Sequence, residues 1–253
     1  WHEGQFLQPQ HFQLLQRETG IALSQERTFA VSHPYGVLTA SLAVDDLDDF
    51  QIRFTRLQAV MPSGLILDFP DTATLPATNF RQAFQTHPDG FTAYLAVPVW
   101  ASKRGNLLDS PNEVGQRLKV LYHADDSSVA DENTGENDQI VQVRKYNGMI
   151  LFEDEDQSDL ELIPLLRIRR ETTAEGAGRP RLDPYYVPPT FWLKGSNILK
   201  NLFSDLASQA GAVRDELEEH LGSSNFDIKT VQGGHRFEQF MRLRILNKFD
   251  ARL

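Results

Sequence analysis

Apolar and polar residues recur with two different periods along this 253-residue chain, and the change of period divides it. The opening stretch WHEGQFLQPQHFQ places Trp1, Phe6, Leu7 and Phe12 among Gln and His, an unusually apolar terminus. Pro9 suits the first turn of a helix, where a missing N–H costs nothing. From there Phe12, Leu15, Ile21–Leu23 and Phe29 recur between Gln, Arg and Glu. That spacing predicts a helix over 9–31, with Gly20 as a weak point and HPYG at 33–36 as its stop. The period then drops to two. In FQIRFTRL, Phe50, Ile52 and Phe54 alternate with Gln51, Arg53 and Thr55, as in a strand with one buried face.

Further strand patterns follow in VLTASLAVDDL, GLILDFP, FTAYLAVPVW (91–100), QRLKVLYHA (116–124), QIVQVRKYNGMILFE (139–153) and LELIPLLRIRRE (160–171). DDLDD (45–49), PSG (62–64) and PDTATLP (70–76) read as turns. Short strands at this spacing with polar connections predict a sandwich or jelly-roll-like β domain. The segment 171–189 breaks the pattern with Gly, Pro and mixed charge. Beyond it, Leu199, Phe203, Leu206, Ala210, Val213 and Leu217 recur four and three apart, a heptad seam capped by Ser196 and stopped by Gly222. His220 falls on that seam as a polar register residue. A second helix carries Phe237, Phe240, Met241, Ile245 and Phe249, and its pattern is still running at residue 253. With a first residue that is Trp rather than Met, this leads us to expect a longer protein.

The net charge is −10, which repels phosphate backbones, and no Lys/Arg cluster is dense enough to reverse that. Nucleic-acid binding is therefore not expected. The chain has no cysteine, which excludes disulfide scaffolds, Cys-ligated zinc and thiol nucleophiles. No run of about 18 apolar residues is present to span a membrane. The seven His (2, 11, 33, 87, 123, 220, 235) make no ligand spacing, and His11 reads as a packed or hydrogen-bonded helix residue. No GxSxG, P-loop or GxGxxG occurs. The segments 125–138 and 153–161, each with six carboxylates, read as solvated acidic loops without the spacing of a calcium loop. The short basic run RIRRE (167–171) reads as a partner for neighbouring acids, or as a salt-sensitive contact with an acidic protein. No metal, cofactor or catalytic residue is assigned. What stands out are interaction features: an aromatic N-terminus, a heptad seam and an unfinished helix.

The opening residues also carry a resemblance. Trp1, Glu3, Gly4, Leu7, Pro9, Gln10, His11, Phe12 and Gln13 match the W-x-E-G-x-x-L-x-P-Q-H-F-Q start of the TssK family, the baseplate adaptors of bacterial type VI secretion. HPYG, MPSG followed by DFP, and LDPYYVPP resemble further family stretches in the same order. The resemblance implies a mainly β fold with helices. Residues 1–189 would form a β-sandwich shoulder, similar to that of a phage receptor-binding protein, with an N-terminal helix. Residues 190–253 would form an incomplete helical neck, without the C-terminal head. It implies a cytoplasmic, non-enzymatic homotrimer at the inner face of the envelope, without a cofactor. That trimer docks on the wedge proteins TssF and TssG, and only the head meets the membrane complex. Trp1, Phe6, Leu7, Pro9, His11 and Phe12 are then candidate anchors to a partner or to the β domain, and Leu199, Phe203, Leu206, Val213 and Leu217 candidate packing residues of the trimeric neck. The alternative is a phage-tail-like receptor- or glycan-binding β module, with Tyr94 and Trp100 alternating onto one face beside the acidic loops.

Overall fold

The structure, a computed structural model, describes residues 4–108, 120–172, 178–223 and 234–250. The chain divides into two compact units, Trp1–Ser196 and Asn197–Leu253. The first opens with helix α1 (Pro9–Ala30) and continues through β1 (Gly36–Leu42), β2 (Gln51–Ile52), β3 (Phe54–Val60), β4 (Ile66–Phe69), β5 (Ala73–Thr74), β6 (Thr78–Asn79), the short helix α2 (Arg81–Thr86) and β7 (Phe91–Pro98). Then come β8 (Leu107–Leu108), β9 (Tyr122–Val129), β10 (Gln139–Asn147), β11 (Met149–Phe152), β12 (Leu160–Arg170) and β13 (Pro180–Leu182). The second unit holds α3 (Asn197–Ser223) and α4 (His235–Asp250).

The strands order as β1-β3-β4, β5-β10-β9-β8, β11-β7-β12-β13 and the pair β2-β6. A single core joins the first and third of these sheets. Val37, Leu57, Ala59 and Leu67 from one meet Phe91, Leu95, Ile150, Ile163 and Ile168 from the other. Phe80 and Phe91 are fully buried, with ring centroids 5.9 Å apart. Burying a side chain of that size stabilises the fold by roughly 1.5–3 kcal/mol. Strand β7 is central and is covered on both faces. Phe91, Leu95 and Val97 point into the main core, while Ala96 packs with Met149 and Leu151 on the other side. That explains why FTAYLAVP reads as a continuous apolar run rather than an alternation.

Simple alternation fails at a register shift in β3. Leu42 pairs with Phe54 but Ser41 pairs with Arg56, so one residue of β3 is left over. Ile52 and Phe54 face the core on even numbers, Leu57 and Ala59 on odd ones. A β-bulge produces such an inversion.

Four expectations are corrected. The run 139–153 is two strands in different sheets, divided at Gly148. A Cβ at that glycine would stand 2.9 Å from Thr74 O, so β10 can pass this close to β5 only without a side chain. The acidic stretch 125–138 is not all loop. Asp125–Val129 complete β9, in register with Gln139–Val143 of β10, and only the tip between them is a turn. Serines and a valine on one side and alternating apolar residues on the other favour pairing despite the charge. PDTATLP contains β5, which runs parallel to the end of β10. Of the strand expected over 116–124, residues 116–119 lie outside the described residues, and the strand observed begins at Tyr122. The helix α2 and the edge strand β13 carry too few residues to show a period, and neither is visible in the sequence pattern.

Candidate functional site

The N-terminal candidates lie on and just before α1. Gln8 is extended at the helix start and Pro9 opens the first turn. The Gln8 N–H donates to His11 Nδ1 at 3.1 Å, and the His11 N–H donates to the Gln8 carbonyl at 3.0 Å. The side-chain amide of Gln5 lies 2.8 Å from His11 Nε2. His11 therefore ties down the orphan N–H groups of a helix start, and its ring bridges back to the segment before it. Gln5 and His11 are half-buried, whereas Phe6 is 81% exposed and Leu7 and Phe12 are also exposed. These apolar side chains do not sit in a groove of their own β domain. Trp1 lies outside the described residues.

The helix is held to the β domain by polar contacts. Ser24 Oγ donates to Ser63 O at 2.9 Å, and Arg27 Nη2 donates to Gly64 O at 2.8 Å. Both acceptors lie in the MPSG turn between β3 and β4. The Arg17 guanidinium stacks on the Trp100 ring at 4.4 Å, and Arg144 donates to Gln16 Oε1 at 3.2 Å. None of the apolar residues of α1 is buried, and Phe29 is 83% exposed. A helix with an apolar stripe ordinarily buries it. This one presents Phe12, Leu15, Leu23 and Phe29 to solvent.

In the second unit, Leu199, Phe203 and Leu217 of α3 are half-buried, but Leu206 and Val213 are exposed. The covered positions after Phe203 are Ala207, Ala210, Gly211, Arg214, Leu217 and Leu221. Leu199, Phe203, Ala210 and Leu217 of the expected heptad are covered, and at its other two places cover falls one residue later, on Ala207 and Arg214. His220 is exposed and Leu221 takes the buried place. On α4, Phe240, Met241, Leu243 and Leu246 are half-buried, while Phe237 and Ile245 are exposed. The two helices pack on each other, so each carries one covered and one open apolar stripe. Ala207 and Arg214 are covered, and Leu206 and Val213 remain outside.

The third surface is the arm formed by β9 and β10. Its tip is closed by Asp131, whose Oδ1 accepts from Asn133 N at 2.8 Å and Thr134 N at 3.3 Å. Those backbone donors hold the Asp131 carboxyl below its usual value. The Lys145 ammonium, 2.8 Å away, lowers Asp125 in the same way. At the base of the arm the buried His123 Nδ1 lies 2.7 Å from Asn147 Oδ1, and Asn147 Nδ2 donates to Val120 O at 2.9 Å.

The elements of the glycan alternative do not converge. Tyr94 is half-buried on β7, whereas Trp100 lies past the end of that strand with its ring against Arg17. Among the described residues, no three His, Asp or Glu gather as a metal site, and no helix is long and apolar enough to cross a membrane.

A model of the family described as "Bacterial Type VI secretion, VC_A0110, EvfL, ImpJ, VasE" matches residues 11–253. The chain belongs to this type VI secretion family. A curated relative is the type VI secretion system baseplate component TssK1 of Pseudomonas aeruginosa, 22% identical over 99% of this chain and 54% of that protein. The chain thus spans about half the length of that curated relative. Two solved structures share the fold. One is a TssK-TssF-TssG baseplate subcomplex determined by cryo-electron microscopy, with TM-score 0.80 and 21% identity over 99% of this chain and 76% of the matched chain. The other is a crystal structure of TssK, with TM-score 0.76 and 21% identity over all of this chain and 54% of that one. The β-rich fold with helices is therefore that of TssK.

Proposed function

We propose that this type VI secretion chain is the wedge-docking part of a baseplate adaptor. Residues 1–189 form the shoulder and 190–253 a neck segment. Three copies assemble through the open stripe of α3 and α4, and the shoulder binds the TssF and TssG wedge. It works by holding surfaces together and catalyses nothing. Its place is the cytoplasmic face of the bacterial envelope, and the family's contact with the membrane complex belongs to a region outside these residues.

One observation carries this reading. A chain that shares its fold over nearly its whole length with TssK exposes apolar stripes on α1, α3 and α4 that its own packing leaves open. Contiguous open apolar stripes mark interaction surfaces. Buried aromatic anchors with a polar rim supply most of the energy of such contacts, and Phe6, Phe12 and Phe29 are of that type. Co-expression with the two wedge proteins tests the reading. Co-purification of all three, weakened by Phe12→Ala or Phe29→Ala, is expected. Purification of this chain without either wedge protein would overturn it.

A further inference from the structure

Among its described residues the first unit carries two oppositely charged surfaces. Past the parallel pairings at Tyr122–His123 and Tyr146–Asn147, β9 and β10 pair only with each other among the described residues. Among the described residues the arm beyond that point has two open strand edges. Such edges invite pairing with another chain. From Ala124 to Val143 the arm holds six carboxylates and no Lys or Arg. Asp125 is neutralised by Lys145, but Glu132 and Glu136 at the tip are exposed and have no ion pair among the described residues. Ile140 projects from the arm and is 77% exposed.

The positive counterpart is the sheet edge at β13. Arg169 of β12 stands directly across from Arg181 of β13. Like charges in that position repel. Arg181 is relieved by Asp48 at 2.8 Å and by Glu171 at 4.0 Å, but the exposed Arg169 and Arg179 have no ion pair among the described residues. Beside them opens a cavity of about 400 Å³ lined by Asp48, Phe50, Gly178, Arg179 and Pro180.

We propose that the β9–β10 arm of one copy docks on the β13 edge of a second copy. Ile140 enters the cavity between Phe50 and Pro180, and Glu132 and Glu136 meet Arg169 and Arg179. A chain of net charge −10 repels its own copies on average, and a local surface of the other sign offsets that repulsion. The Arg-bearing edge is such a surface, whereas two acidic arms would push each other apart. Because arm and edge are different surfaces, the contact is head-to-tail and closes into a ring when the rotation fits. It rests on the trimeric reading and adds to it a contact within the shoulder.

Charge reversal tests it on the whole chain. Glu132→Lys with Glu136→Lys, and separately Arg169→Glu with Arg179→Glu, are expected to weaken self-association about ten-fold each at low salt. All four together restore it, as read by sedimentation. Wild-type association weakens as salt rises. If both single-surface variants assemble as wild type does, or if the four-fold variant is no better than either, the arm contact is overturned while the trimer stands. A wild type that stays monomeric overturns both. Restoration in the four-fold variant separates loss of contact from misfolding.

Discussion

Gly64 sets how closely α1 approaches the β domain. Its φ is +88°, where side chains are strained, and an added Cβ would run into Ser24. Gly64→Ala is expected to cost roughly 1–3 kcal/mol and to free α1 from the turn. A thermal midpoint equal to that of wild type, with α1 equally resistant to protease, would contradict this. MPSG was legible as a turn from its residue types. The role of Ser24 in filling the space beside it was not, because a side chain arriving from a distant helix leaves no local pattern. His11 shows the same division. Its place on a helix was readable from spacing, and its tie to Gln5 before the helix was not.

At the scale of elements, the tip of the β9–β10 arm depends on Asp131. Its folded-state value lies below its ordinary 3.8 because backbone N–H groups favour the carboxylate. That contribution is complete above the unfolded value and is lost as pH falls through the lower folded one. The Asn133 and Thr134 amides are therefore expected to keep their NMR shifts down to pH 4 or so and to move only in stronger acid. Movement near neutrality would contradict the capping role. The arm was hidden in the sequence by its charge, since a run of carboxylates resembles a solvated loop. What overrides that is the ladder with β10, in which Lys145 lies opposite His123 and its ammonium reaches Asp125. For α3, spacing gave four of the six seam positions but not the two at Leu206 and Val213. Leu206 is larger than Ala207, and a hydrophobic count prefers it, yet the covered position is the alanine. Leu206→Asp is thus expected to leave the stability of the single chain within about 0.5–1 kcal/mol while abolishing trimers. Retention of the trimer by that variant would remove the open stripe of α3 from the assembly.

For the whole molecule, the β core was the most legible part, because FQIRF and FTAYLAVP announce their burial by composition. The interaction surfaces were legible as residues without partners but not as faces. Phe6, Leu7 and Phe12 looked like anchors, and only the structure places them in solvent rather than in a groove of their own domain. Folding alone leaves these stripes in water, which is costly to a monomer and useful to a subunit. The most direct test is the mass of the purified chain in solution by light scattering. Three chains of 28.7 kDa each, about 86 kDa in total, are expected, with a fall toward the single-chain mass in Leu206→Asp. A wild-type mass of 28.7 kDa at every concentration would contradict the trimeric adaptor.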